Sequence, residues 1–265
     1  MDALSVTRRD DVVTITLTRP ERRNVLGRDV IAALTDAFAD AGGGDAAAVV
    51  LAAEGPTFSA GHDFADMDGA DLAAARDLFR ACTDLMETVR RIPQPVVARV
   101  HALATAAGCQ LVASCDLAVA AESAGFALPG GRGGLFCHTP AVALARAVGP
   151  KRALEMALTG DVISARTAAE WGLVNRCVPD DELDAAVADL VVRTTRGGRH
   201  SKGLGKQTFH AQVDLGRADA YALAVEVMAA ASQTPEAREG IAAFLEKRPP
   251  DFGRADGTDG ADPPP

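Results

Sequence analysis

The sequence predicts an α/β core built from strand-strand-helix units, followed by an all-helical C-terminal extension. Three observations carry this. Val13, Ile15 and Leu17 alternate with Thr14, Thr16 and Thr18, the period-two pattern of a half-buried strand. Ala48–Ala52 and Val96–Val100 are short continuous apolar runs, the pattern of strands buried on both faces. From Asp180 onward the periodicity is helical only, so strands and helices mix first and helices alone follow.

Taken in order, an extended stretch around Val6 is separated from the Val13–Leu17 strand by Asp10-Asp11, which gives a hairpin. Pro20 ends its second strand. Val30, Ile31, Leu34 and Phe38 recur at helical spacing, and Gly42-Gly43-Gly44 closes that helix. After the Ala48–Ala52 strand, Gly55-Pro56 breaks the chain, and Phe58–Asp63 is read as a turn of small residues before a helix over roughly Ala70–Arg91. Pro93 and Pro95 stop that helix and start the Val96–Val100 strand. Small residues from Ala102 to Gly108 then open a helix through Leu111 and Val112, followed by the strand Leu117–Ala120 and a glycine-rich passage, Leu128–Gly134, read as irregular. Thr139-Pro140, Pro150 and Ser164 mark three helix starts, with Leu173–Val178 as a last strand. Helices are expected near Asp180–Thr195, Arg217–Ala231 and Pro235–Lys247, the last capped by Thr234. The expected organisation is a core over 1–195, a helical region over 196–250, and a disordered tail, Asp251–Pro265, poor in apolar residues.

Composition excludes several classes. A formal net charge of -9, with no basic cluster interleaved with aromatics, argues against nucleic acid as a partner. No apolar stretch spans a bilayer, and the N-terminus lacks a basic-then-apolar signal pattern, so a cytoplasmic protein without membrane partners is expected. Five cysteines, Cys82, Cys109, Cys115, Cys137 and Cys177, show no C-x-x-C pair, and the histidines form no H-x-x-x-H pair, so no metal site is expected. Gly130–Gly134 is not G-x-G-x-x-G, and Gly205-Lys206 is followed by Gln207 rather than Ser or Thr, which excludes phosphate loops. Without G-x-S-x-G, a serine hydrolase has no nucleophile elbow, and Ser59 and Ser114 read as structural.

Two small-residue turns remain, Ala60-Gly61-His62-Asp63 and Ala106-Ala107-Gly108, each following an apolar strand and each freeing backbone amides. Two readings are open. The turns are tight packing, or their amides converge on an oxygen that gains charge, as the carbonyl of an acyl thioester does when its neighbouring carbon becomes enolate-like.

At these residues the chain resembles the crotonase family, also called the enoyl-CoA hydratase/isomerase family. The resemblance runs from Val12 to Lys247 through collinear stretches: Arg19–Leu26, Phe58–Asp63, Pro95–Ala98, Cys115–Ala120, Ala153–Gly160 and Gly172–Asn175. The runs Leu103–Asp116, Gly134–Cys137 and Ala143–Val148 are most similar to its enoyl-CoA hydratase domain-containing protein 3 subgroup. The resemblance implies the ClpP/crotonase-like spiral of ββα units and a homotrimer or hexamer assembled through C-terminal helices. It implies an acyl-CoA thioester as substrate or ligand, with no further cofactor. Carried over by position, the oxyanion-hole amides fall on His62 and Ala107. Substrate contacts fall on Arg23, Asn24, Leu26, Ala60, Asp63, Phe64, Ala106 and Pro129, with Phe244 and Lys247 in the C-terminal segment.

Departures from the family pattern bear on chemistry. Hydratases of the family hold water between two glutamates, whose positions here are Gln110 and Gly130. Gln110 can hydrogen-bond a water but cannot take its proton, and Gly130 offers no side chain. Losing both acid/base groups, each worth ~10²–10⁴ in rate, leaves ordinary hydration weak. On that reasoning, restoring both glutamates is expected to raise the rate. His62 either transfers protons through its ring, as in decarboxylase-like members, or contributes only its amide. His138 lies where some isomerases place a carboxylate, or serves a solvent-facing or capping role. Cys109 and Cys137 read as small buried hydrophobes, and Asp63 as the cap of the following helix. Two classes of function follow: an enzyme acting on acyl-CoA, or a non-catalytic CoA-thioester binding protein.

Overall fold

The computed structural model describes residues 3–252. Strands β1 (Leu4–Arg9) and β2 (Val12–Leu17) form the expected antiparallel hairpin, with Asp10 left-handed at φ 52° in its turn. Helix α1 (Arg28–Gly43) buries Val30, Ile31, Leu34 and Phe38. One passage then occurs three times. It runs as β3 (Ala48–Ala53), β4 (Thr57–Ser59) and α2 (Leu72–Arg91), then β5 (Val96–Val100), β6 (Leu103–Thr105) and α3 (Ala107–Ser114), then β7 (Leu117–Ala121), β8 (Gly125–Ala127) and α4 (His138–Val148). Helices α5 (Pro150–Thr159), α6 (Ala165–Trp171) and α7 (Leu183–Thr195) follow, with β9 (Ile163–Ser164) and β10 (Arg176–Val178) between them.

In each passage the first strand joins one sheet and the second joins another. The sheet orders are β1-β2-β3-β5-β7-β10 and β4-β6-β8-β9, and the pairs β3–β5, β5–β7, β4–β6 and β6–β8 are parallel. Each turn of the chain therefore advances one strand along both sheets, which is the ββα spiral. Alternation along β3 shows how the larger sheet is buried on both faces. Val49, Leu51 and Ala53 join the main core with Leu34, Leu78 and Leu111, while Ala48 and Val50 pack with Leu183, Val187 and Val191 of α7.

Several expectations need correction. Phe58–Ser59, read as part of a turn, Leu103–Thr105, read as the small-residue lead into a helix, and Gly125–Ala127, to which the sequence assigns no element, pair as strands, and Leu173–Val178 shortens to Arg176–Val178. Asp71, not Asp63, caps the long helix, accepting from Ala74 N at 2.8 Å; Asp63 caps the 3₁₀ turn Phe64–Asp66 through Ala65 N. Helix α4 starts at His138, so Thr139-Pro140 lies inside its first turn. Proline marks a first turn, whose amides lack intrahelical partners, rather than its first residue.

The described residues divide into two compact units, the first ending at Thr194 and the second beginning at Thr195. In the second, α8 (Arg199–Gln212), absent from the sequence reading, precedes α9 (Arg217–Ala231) and α10 (Pro235–Glu246). Thr234 caps α10 through Ala237 N, and Glu236 accepts from His200 N and Ser201 N at the start of α8, where helix dipole and carboxylate attract. Helices α8 and α9 line a groove of about 730 Å³ bordered by the exposed Phe209, Tyr221 and Met228. Of the expected tail, Asp251 N donates to Glu239 at 2.7 Å, and residues 253–265 lie outside the described residues. Among the described residues, no helix is long and apolar enough to cross a membrane.

Candidate active site

Strands β4 and β6 are parallel neighbours, Ser59 opposite Ala104, so the turns that follow them emerge at the same edge of the sheet. They touch. Gly61 is left-handed at φ 84°, and a Cβ there would lie 2.9 Å from Ala106 Cβ and 3.0 Å from Ala107 N, an approach that glycine alone permits. Ala106 itself has φ 49° and ψ -119°, a conformation that costs a non-glycine residue about 1–3 kcal/mol. Its amide is anchored to Ala127 O of β8 at 2.9 Å.

This geometry opens two amides. Leu26 N donates to Gly61 O at 2.8 Å, and because the peptide unit is planar and trans, holding that carbonyl aims the His62 N–H the opposite way. Ala107 is the first residue of α3, where an N–H has no intrahelical acceptor. Neither amide donates to an acceptor among the described residues. His62 itself and Gln110, three residues after Ala107, carry buried side-chain atoms that lack hydrogen-bond partners: Nε2 and Oε1. Gln110 is 5% exposed, in the first turn of α3. A buried polar group left unpaired costs about 1–3 kcal/mol, a debt that a bound donor or acceptor removes. The His62 ring packs edge-on against Phe79 of α2 with centroids 5.3 Å apart; burial holds its pKa below the usual imidazole value, and Asp66 opposes that in part.

Gly130 departs further from a hydratase than the sequence implies. A Cβ there would lie 2.2 Å from Leu135 O and 2.8 Å from Cys137 Sγ. The 3₁₀ turn Pro129–Gly133 folds back so that Leu135 N donates to Gly130 O at 3.0 Å, and the returning chain fills the volume a side chain would need. Restoring both glutamates therefore carries a steric condition at the second: position 130 cannot take glutamate until this turn moves. Cys109 and Cys137 lie in the main core, and burial pushes both thiols up, away from the thiolate.

The other expected contacts separate into two groups. Arg23 is exposed and left-handed at φ 54°, Phe64 is 74% exposed, and Ala60 and Pro129 are part-exposed. Asp63 forms an ion pair with Arg22 at 2.5 Å. Asn24 and Leu26, by contrast, face inward. Asn24 is 1% exposed, its Nδ2 donating to Glu54 O and Thr57 O and its Oδ1 accepting from Arg19 N, so its side chain staples the loop instead of reaching a ligand. Leu26 is fully buried and acts through its backbone. His138 is exposed and packs on Phe136, with centroids 5.0 Å apart. Phe244, 81% exposed, and Lys247, the left-handed cap of α10, belong to the second unit. The sequence reading missed Phe79 and the Leu135 carbonyl. Phe79 carried the helical pattern of α2 as a signal; a carbonyl carries none. Among the described residues, no group of three His, Cys, Asp or Glu could hold a metal ion.

Comparison with known proteins agrees with this architecture. The enoyl-CoA hydratase/isomerase family matches residues 7–255. The chain is 42% identical to enoyl-CoA hydratase domain-containing protein 3, mitochondrial, of Rattus norvegicus, over 93% of this chain and 83% of that one. It is 31% identical to 2,3-dehydroadipyl-CoA hydratase of Escherichia coli, over 95% and 99%. A crystal structure of an enoyl-CoA hydratase from Mycobacterium smegmatis superposes with a TM-score of 0.92 at 45% identity, covering 95% of this chain and 99% of that one. Human enoyl-CoA hydratase domain-containing protein 3 superposes with a TM-score of 0.91 at 39% identity, covering 94% and 100%.

Proposed function

The chain belongs to the enoyl-CoA hydratase/isomerase family, and on that premise we propose that it binds an acyl-CoA thioester with the carbonyl oxygen between the His62 and Ala107 amides, stabilising an enolate without efficient hydration. The observation that carries this is the pair of open amides on touching turns, beside a neutral Gln110 and a position 130 with no room for a carboxylate. Amides already aimed at a developing oxyanion stabilise it without reorganisation, the largest single contribution in many acyl-group enzymes. Water activation needs a group that takes a proton, and neither position supplies one.

His62 favours an enzyme over a passive binder. Its unpartnered, buried Nε2 is neutral near physiological pH and therefore able to accept a proton or hydrogen bond at the acyl group. A malonyl-type thioester suits such a site: its C–C bond breaks with CO₂ as the leaving group, the electron pair passes to an enolate held by the two amides, and a proton from water completes the shortened acyl-CoA. Assembly into trimers or hexamers is part of the proposal, supported by the apolar residues bordering the α8–α9 groove. A reducing compartment fits five free cysteines. The cytoplasm is the expected one, while the rat relative is named mitochondrial.

Titration calorimetry with acetyl-CoA, followed by turnover of malonyl-CoA and crotonyl-CoA, tests the reading. Binding with faster malonyl-CoA consumption, abolished in His62→Ala while acetyl-CoA still binds, is expected. No heat at millimolar acetyl-CoA refutes thioester binding, and binding with neither substrate consumed leaves the regulatory reading in its place.

A further inference from the structure

Ser59 ends β4 and is fully buried. Its hydroxyl donates to Asn24 O at 2.8 Å and accepts from Gly61 N at 3.3 Å. On its other side it meets α3: a Cβ on Gly108 would lie 2.6 Å from Ser59 Cβ and 2.8 Å from its Oγ. One small side chain thus touches three segments that are distant in sequence: the loop after β2, the turn bearing the His62 amide, and the first turn of α3 bearing the Ala107 amide.

We infer that Ser59 is a positioning residue for the amide pair, its hydroxyl fixing the tilt of the His62 N–H and its contact with Gly108 fixing the separation from Ala107. Gly61 is the residue that needs such a restraint. It is a glycine with wide conformational freedom, and the tilt of its carbonyl sets the direction of the next N–H. Leu26 N holds Gly61 at its carbonyl and Ser59 holds it at its amide, so the residue is gripped at both ends. Asn24, the acceptor of the Ser59 hydroxyl, is itself stapled to Glu54 O and Thr57 O, which makes the anchor rigid. Removing the Ser59 oxygen leaves the Gly61 N–H and the Asn24 carbonyl unpaired in a dry interior and releases one end of the grip. Oxyanion stabilisation depends steeply on donor distance and angle, so a small rotation of the 61–62 peptide weakens it while the CoA-binding surface stays in place.

This inference rests on the reading of the two amides as the thioester-oxygen site. Its test is the infrared stretch of ¹³C-carbonyl-labelled acetyl-CoA bound to the wild type, Ser59→Ala and Ser59→Cys, with the affinity for CoA itself measured alongside. The wild type lowers the stretch relative to free acetyl-CoA. Ser59→Ala loses more than half of that shift while its CoA affinity stays within about twofold of wild type, and Ser59→Cys, similar in size with a weaker donor, recovers part of the shift. A wild-type shift that persists undiminished in Ser59→Ala overturns the role of Ser59 alone. An unshifted carbonyl in the wild type overturns the thioester-oxygen reading and the role of Ser59 with it. Should Ser59→Ala fail to fold, Ser59→Cys decides: an intermediate shift supports the role, and a full wild-type shift overturns it.

Discussion

Replacing Gly130 by alanine adds one methyl group where the chain crosses itself. That methyl would lie 2.2 Å from Leu135 O and 2.8 Å from Cys137 Sγ, whereas Cβ contacts in proteins essentially never fall below 3.0 Å. The obstacle is a backbone carbonyl, so the turn must retreat by about 1 Å, straining or breaking the 3.0 Å bond from Leu135 N to Gly130 O. Overpacking of this kind costs about 1–3 kcal/mol, and a weakened hydrogen bond adds about 1 kcal/mol. For a chain of this size each kcal/mol moves the melting temperature by about 2–4 °C, so Gly130→Ala should melt roughly 5–15 °C below wild type. Thermal denaturation followed by circular dichroism measures this, with Gly133→Ala as control, since a Cβ at Gly133 meets nothing within 4 Å. Equal melting temperatures for Gly130→Ala and wild type would refute the steric argument and reopen position 130 to a catalytic glutamate.

Three further outcomes are expected. Asn24→Ala removes three hydrogen bonds at a buried, left-handed residue and should cost about 2–4 kcal/mol in urea unfolding; a loss near zero contradicts its role as an internal staple. His62 has a folded-state pKa below its unfolded value, so the unfolded chain binds more protons as pH falls through the unfolded pKa. Stability should therefore be fullest above that value and decline as pH drops toward the folded one, a slope that His62→Gln diminishes in pH-dependent unfolding; an unchanged slope contradicts the burial of the neutral ring. Gln110→Glu alone requires no extra volume and supplies one acid/base group, so hydration of crotonyl-CoA, slow in the wild type, should rise by about 10²-fold in a coupled dehydrogenase assay; wild-type turnover near ~1–10³ per second would contradict the stated loss of water activation.

The larger sheet's strands other than the three-residue β10 were legible because five or six residues are enough to show alternation, as in β2, or continuous burial, as in β3 and β5. Those of the smaller sheet were not, because β4, β6 and β8 have three residues each and owe their extended form to the neighbour they pair with. Helix α8 escaped notice because Gly203 and Gly205 interrupt its apolar pattern. The two turns of the site could be located from sequence, since the close approach of Gly61 to Ala106 and Ala107 itself demands small residues. What occupies the space around Gly130 could not, because the Leu135 carbonyl belongs to a backbone whose path no side chain announces. Asn24 shows a related limit: its residue type permits either ligand binding or internal stapling, and only its three partners decide between them.

The thioester-oxygen site is tested most directly at the two amides themselves. In a ¹H–¹⁵N correlation spectrum with the His62 and Ala107 signals assigned, saturating acetyl-CoA should move both amide protons downfield, the mark of a hydrogen bond to a carbonyl oxygen, whereas CoA, which lacks that oxygen, should leave both in place. Two amide protons unmoved at saturating acetyl-CoA, or moved equally by CoA, would contradict the account.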